Sequence, residues 1–246
     1  MRRFFFDPKM RTEDLVTLSE EESYHIARVL RLQPEAEIEV MDGQGGVFTA
    51  RIIELGRTVV VRLLARQEQS DAGRISLWVG QGVLKGKKMD GAIQQCTELG
   101  VNRLTPFFSS RCQGRLDDQR GRQKAERWNR IVVSACKQCR RAEQMQVDEV
   151  ADYAAMLGLP DRNPGLLRFI FWEEEEEFRL DQGMMTDTSV EGVCILLGPE
   201  GGFSRAEITA ARALGWQTVS LGRRILRAET ATVSAVAIVQ HLAGNL

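Results

Sequence analysis

Near the C-terminus an apolar run ending in Leu196-Leu197 enters Gly198-Pro199-Glu200-Gly201-Gly202 and leaves through Phe203-Ser204-Arg-Ala-Glu207. This order leaves few folds open. The apolar run reads as a buried strand, and the Ser-x-x-Glu spacing is that of a capping box that starts a helix. That helix has a natural stop at Gly215. A glycine-rich turn between strand and helix lets backbone approach a ligand, with free N–H groups at the helix start. In open parallel sheets such turns lie outside the strands' carboxyl ends, where ligands bind. The turn matches neither G-x-G-x-x-G nor a P-loop, and Gly80-Gln-Gly82 with Gly86-Lys87-Lys88 also misses the P-loop pattern. A second segment repeats the logic: a strand over Thr218–Leu221, then Gly222-Arg-Arg-Ile-Leu-Arg-Ala-Glu-Thr230, then an apolar helix over Ala231–Leu242.

Upstream, the chain changes rhythm once. Arg2–Phe6, Glu37–Met41, Val47–Ile53 and Thr58–Leu64 are β-rich runs separated by Asp42-Gly43, Gly45-Gly46 and Gly56, the turn chemistry of a small barrel or hairpin array. The polar stretch Gln67-Glu-Gln-Ser-Asp-Ala-Gly73 reads as a linker. Beyond it, strands over Ile75–Val79, Leu104–Phe108, Leu167–Trp172 and Val193–Leu197 alternate with helices over Lys87–Leu99 and Gln119–Gln138, the latter with Asp117 or Asp118 as a candidate cap. Strands alternating with helices imply a mostly parallel sheet covered on both faces. The expected organisation is a small β domain over residues 1–72 and an α/β domain over 73–246, within the 246 residues available.

Charge is segregated under a net value of −1. From Arg103 to Arg141 eleven basic residues face only three acidic ones, whereas Glu173–Glu177 is an unbroken acidic run. Such asymmetry fits either nucleic-acid contact or a solvated helix face. No apolar run approaches the roughly 18 residues that span a membrane, and the apolar triplet after Met-Arg-Arg is too short for a signal-peptide core. A cytoplasmic protein is the simplest reading. The five cysteines, an odd count, argue against a disulfide framework. Cys136-x-x-Cys139 lacks a second pair, and His25 and His241 are far away in sequence, so it reads as two reduced cysteines with no metal.

The pair Gly-Pro-Glu-Gly-Gly-Phe-Ser (198–204) and Leu-Gly-Arg-Arg-Ile-Leu-Arg-Ala-Glu-Thr-Ala (221–231) closely resembles the signature of the ribosomal RNA small subunit methyltransferase E family. The resemblance extends to His25-Ile-Ala-Arg-Val-Leu-Arg31, to Lys88-Met-Asp90 with Glu98-Leu-Gly-Val101, and to Trp172-Glu173. One position departs from the family pattern: a glycine is expected between Cys139 and Arg141, and Arg140 stands there.

That family transfers methyl groups from S-adenosylmethionine to N3 of a uridine in 16S ribosomal RNA and belongs to the trefoil-knotted SPOUT methyltransferases. The resemblance therefore implies a knotted α/β domain behind an N-terminal PUA-like β-barrel. It implies a cofactor held by Glu173, by Leu197, Gly198, Pro199, Glu200, Gly201 and Gly202, and by Leu221, Gly222, Ile225, Leu226, Arg227, Thr230 and Ala231. RNA contacts are expected at His25, Arg28, Arg31, Lys88, Arg111, Arg115, Arg140, Arg141 and Arg224. The small ribosomal subunit is the expected partner, and a homodimer is expected, with Val233, Val236, Ala237 and Val239 as a candidate interface. A sulfonium methyl is already activated, so positioning carries most of the catalysis. Uracil N3 must lose a proton, and a cation would stabilise the anion formed, the role expected of Arg227. Glu229 either accepts that proton or stabilises the start of the following helix. Two competing readings are a SPOUT enzyme acting on another RNA and a non-catalytic ribosome-assembly factor; a nucleotide-dependent enzyme is more distant, since no phosphate motif matches.

Overall fold

The computed structural model describes residues 2–67, 75–112, 118–163, 165–185 and 190–246. The chain divides into two compact units, Met1–Ala72 with Val133–Gln144, and Gly73–Val132 with Met145–Leu246. The division by sequence at residue 72 does not contain the return of Val133–Gln144 to the first unit. The linker residues 68–73 and the Asp117 cap lie outside the described residues, as does the side chain of Asp118.

The first unit contains β1 (Arg3–Phe5), β2 (Arg11–Thr12), β3 (Leu15–Thr17), helix α1 (Glu20–Tyr24), β4 (Glu37–Met41), β5 (Val47–Leu55) and β6 (Val59–Gln67). The six strands pair in the order β1-β4-β5-β6-β3-β2, parallel only between β1 and β4. The β4–β5 hairpin turns on Asp42, whose Oδ1 accepts from the amides of Gln44 and Gly46, both at 2.8 Å. Period-two alternation sends Ile38, Val40, Phe48, Ala50, Ile52, Val59 and Val61 into one core with Phe4, Phe6, Val16, Leu18 and Ile26. Sequence reading missed α1, whose five residues are too short to show helical periodicity.

The second unit holds β7 (Ser76–Gly82), α2 (Lys87–Glu98), β8 (Arg103–Phe108), most of α3 (Asp118–Cys139), β9 (Gln146–Val147), β10 (Ala151–Asp152), α4 (Tyr153–Gly158), β11 (Leu166–Phe171), β12 (Gly192–Leu197), α5 (Arg205–Ala213), β13 (Gln217–Val219) and α6 (Ala228–Leu242). All its strand pairs are parallel, in the order β10-β8-β7-β12-β11-β13, with β9 beside β8. Every residue of β12 is buried, as expected of a central parallel strand covered on both faces. Trp78, Phe107, Ile170, Leu196, Phe203, Ile208 and Trp216 are among the residues of its core. β11, β12 and β13 are neighbours in the sheet, so the three loops that leave their carboxyl ends converge. Val236 and Val239 of α6 are buried within the chain itself, which removes these two side chains from the dimer interface expected there.

A non-glycine residue takes the glycine conformation at Arg140, with φ +67, just past the end of α3. This is where a helix normally ends on a left-handed glycine, so the sequence departure coincides with a strained backbone position. The Arg140 carbonyl accepts from Arg3 Nη1 at 2.6 Å.

Candidate functional site

The Gly198–Gly202 turn is built by close approach. A Cβ on Gly202, which has φ +67, would lie 2.2 Å from Glu173 Oε1, so a side chain here would collide with that carboxylate. A Cβ on Gly82 at the end of β7 would come within 2.6 Å of the Pro199 nitrogen. The helix that follows starts as its sequence requires: Ser204 Oγ accepts from the Glu207 amide at 3.3 Å, and Glu207 Oε2 accepts from the Ser204 amide at 2.8 Å. Glu207 Oε1 also accepts from the Ser110 amide at 2.7 Å. Burial alone would raise the Glu207 pKa, but the N–H donors of Ser110 and Ser204 outweigh it and hold the carboxyl below its ordinary value.

A buried amide links this turn to the second loop. Gln81 is fully buried; its Nε2 donates to the Gly198 carbonyl at 3.3 Å and the Gly82 carbonyl at 3.1 Å. Its Oε1 accepts from Thr232 Oγ1, in α6, at 2.7 Å. One side chain therefore sets the spacing between the glycine turn and the helix that ends the second loop. A polar residue between two glycines in an otherwise apolar strand was the available signal for it.

The third loop, after β11, is shaped by Glu175. Its Oε1 accepts from the amides of Glu177 and Phe178 at 3.2 and 3.3 Å, and its Oε2 accepts from Thr218 Oγ1 at 2.5 Å and Arg212 Nη2 at 3.3 Å. The hydrogen bond from Thr218 is the main cause that lowers its pKa. Glu174 pairs with Arg205 at 3.0 Å. Part of the acidic run is thus a fastened turn, which charge counting had set only against the basic segment.

The three loops surround a cavity of about 870 Å³, within the ~300–1,000 Å³ of small-ligand sites. Its walls include Glu173, Leu197, Gly198, Pro199, Glu200, Gly201, Gly202, Leu221, Gly222, Ile225, Leu226, Arg227 and Ala231 of the expected cofactor set. Thr230 is exposed and stands apart from the wall. Phe171, Arg179 and Ser220 also line the cavity and were missed, and so do Trp172 and Arg223, which the sequence placed in motif segments without a contact role. The indole N–H of Trp172 is buried without a protein partner, which is how a donor awaiting a ligand looks.

Two residues expected to hold RNA phosphates make contacts with the loops. Lys88 Nζ lies 3.3 Å from Glu229 Oε1 and 3.8 Å from Glu200 Oε1, and Arg111 Nη1 donates to the Gly201 carbonyl at 2.9 Å. Arg224 is exposed on the cavity rim. His25, Arg28, Arg31, Arg140 and Arg141 all belong to the first unit, and Arg115 lies outside the described residues. Glu229 sits in the first turn of α6 and does not line the cavity. Its own backbone N–H is the main cause that lowers its pKa, with Lys88 and Arg227 adding to it. Among the described residues no cluster of His, Cys, Asp or Glu forms a metal site, the five cysteines are free, and no helix is long and apolar enough to cross a membrane.

A family model described as an RNA methyltransferase domain matches residues 72–240, and one described as an RNA methyltransferase PUA domain matches residues 18–64. Over 245 residues the chain is 28% identical to the ribosomal RNA small subunit methyltransferase E of Buchnera aphidicola subsp. Schizaphis graminum, covering 99% of this chain and 97% of that protein. It is 30% identical over 242 residues to the protein of the same name from Synechocystis sp., covering 98% of this chain and 77% of that one. The crystal structure of a ribosomal RNA small subunit methyltransferase E from Neisseria gonorrhoeae bound to S-adenosyl methionine superposes with a TM-score of 0.84, at 29% identity and over 98% of each chain.

Proposed function

The chain belongs to the ribosomal RNA small subunit methyltransferase E family of RNA methyltransferases, and from that membership we propose that it methylates N3 of one uridine in 16S ribosomal RNA. It is an S-adenosylmethionine-dependent ribosomal RNA methyltransferase. The observation that carries the finer reading is the cavity shared by three loops, in which Arg227 faces the same space as the Gly198–Gly202 turn. The residues fit the cofactor: backbone and carboxylate acceptors at Gly198–Gly202 and Glu173, an unpartnered indole donor at Trp172, and room for a nucleoside.

Bound there, the cofactor supplies an activated methyl group on a positive sulfur. The chain's residues then do three things. The glycine turn and the Leu221–Leu226 stretch would hold the cofactor and orient its methyl toward uracil N3. Arg227 stabilises the uracil anion left when the N3 proton departs to water. Glu229, kept anionic, holds Lys88 and so ties the second loop to Glu200.

In the same reading, residues 1–72 form the RNA-binding domain and 73–246 the methyltransferase domain. The placement of β12 between β7 and β11 suits a SPOUT trefoil knot. The protein works in the cytoplasm as a homodimer, for which α6 still offers Ile238, 42% exposed, beside the half-buried Val233 and Ala237. The deciding experiment is labelled methyl transfer from S-adenosylmethionine to small subunits lacking their native modifications, with mapping of the product. A single N3-methyluridine in 16S ribosomal RNA supports the proposal; methyl on another base or another RNA refutes it. Arg227→Ala should lower turnover at saturating cofactor and RNA, and unchanged turnover removes Arg227 from catalysis.

A further inference from the structure

Every Phe and Trp in the chain, and Tyr153, is at least partly buried. Tyr24 alone stands out, 66% exposed. It ends α1, and His25–Val29 continue it as one π-helical turn. Such wide turns are rare and concentrate at functional sites. The turn buries Ile26 completely, leaves Val29 58% exposed, and exposes His25 and Arg28. Phe4 holds the His25 ring edge-on at a centroid distance of 6.0 Å. Two residues after Val29, Arg31 is forced to φ +51, a strained conformation of the kind found at ligand clamps. Residues 24–31 contain no carboxylate, and among the described residues neither Arg28 nor Arg31 makes an ion pair. The nearby Glu20 is taken by Arg57 at 2.8 Å.

We propose that Tyr24 is a stacking platform for an unpaired base of the RNA substrate, with Arg28 and Arg31 holding the flanking phosphates. The proposal rests on the RNA-methyltransferase reading and adds a base contact to it. An exposed ring followed within seven residues by two exposed cations matches single-stranded RNA, whose bases offer π-faces and whose backbone offers phosphates. A-form duplex keeps its base faces stacked internally and gives the ring nothing to bind. A target uridine with N3 free to react must itself be unpaired, so single-stranded RNA is present where this enzyme works.

The test uses the full chain, a short uridine-rich single-stranded RNA and a blunt RNA duplex, with affinity measured across a salt series. Tyr24→Ala should weaken single-strand binding by roughly 5- to 150-fold and leave the salt slope unchanged, because no charge is removed. Tyr24→Phe should bind like the parent, and duplex binding should ignore both changes. Arg28→Gln with Arg31→Gln should flatten the single-strand slope by about 0.7 for each phosphate no longer neutralised. Cofactor binding serves as the control for folding. If Tyr24→Ala binds single strands normally while the arginine pair loses affinity, stacking is refuted and the RNA-binding reading of this unit survives. If neither change matters, this unit is not the RNA face and the proposal falls with that reading.

Discussion

Gly202→Ala tests how the cofactor loops are held, because the structure supplies both the perturbation and its control. Gly202 has φ +67, and an added Cβ would meet Glu173 Oε1 at 2.2 Å. Gly215, just past α5, has φ +80 and nothing within 4 Å of the same added atom. Each alanine places an L-residue in the left-handed region, at about 1 kcal/mol, which lowers Tm by roughly 2–4 °C in a protein of this size. Only Gly202→Ala also drives the Glu173 carboxylate out of its place on the cavity wall. If that carboxylate makes a charge-assisted hydrogen bond to the cofactor, about 1.5–3 kcal/mol is lost, or roughly a 10- to 150-fold rise in Kd.

Titration calorimetry with S-adenosylmethionine and thermal unfolding would be run on both variants and on Glu173→Ala with and without Gly202→Ala. The expected result is similar Tm losses for the two glycine variants and a loss of affinity for Gly202→Ala alone. In the Glu173→Ala background the collision is gone, so Gly202→Ala should add little further loss of affinity. Equal cofactor affinity in the Gly202 and Gly215 variants would refute the role given to Glu173. Undiminished loss in the Glu173→Ala background would place the damage in the backbone of the turn instead.

Thr232→Val leaves the buried Gln81 Oε1 without its donor and should cost about 1–3 kcal/mol of stability, together with weaker cofactor binding; denaturant unfolding and calorimetry check both, and an unchanged midpoint refutes the clip. Arg140→Gly relieves the φ +67 strain while keeping the carbonyl that Arg3 uses, and should gain about 1 kcal/mol; a lower Tm would overturn the strain assignment. The Glu175 carboxyl is depressed by its bond from Thr218, so its stabilising effect is present above the ordinary carboxylate range and lost as pH falls through the lowered value. Glu175→Gln should therefore reduce Tm near neutrality and flatten its decline on acidification, and parallel Tm curves would contradict this.

What could be read from sequence was local. The strand, glycine turn and capped helix over 192–213 follow from periodicity and capping rules acting within a few residues. At Arg140 the family resemblance marked only a departure, and the left-handed backbone came from the structure. The clip between Gln81 and Thr232 joins residues 151 positions apart, and no local pattern carries such a pairing. Glu175 was hidden for a related reason: five consecutive glutamates look alike until Thr218 and Arg212 arrive from β13 and α5. Val133–Gln144 belongs with the first unit although it starts inside a helix begun in the second, and sequence order alone could not divide one helix between two units.

Cations around the cofactor loops differ in what they are bound to. Lys88 is held by Glu200 and Glu229, Arg111 by the Gly201 carbonyl, Arg212 by Glu175 and Arg205 by Glu174. Carboxylates offset the charge of Lys88, Arg205 and Arg212, whereas the neutral Gly201 carbonyl positions Arg111 without cancelling it. Arg223, Arg224 and Arg227 line the cavity and make no ion pair among the described residues. An uncompensated cation beside a partly enclosed cavity acts at greater strength and range than a paired one. Three of the cations on the cavity wall, Arg223, Arg224 and Arg227, lie on the second loop, so the clip between Gln81 and Thr232 that sets this loop from behind also sets where their charges stand.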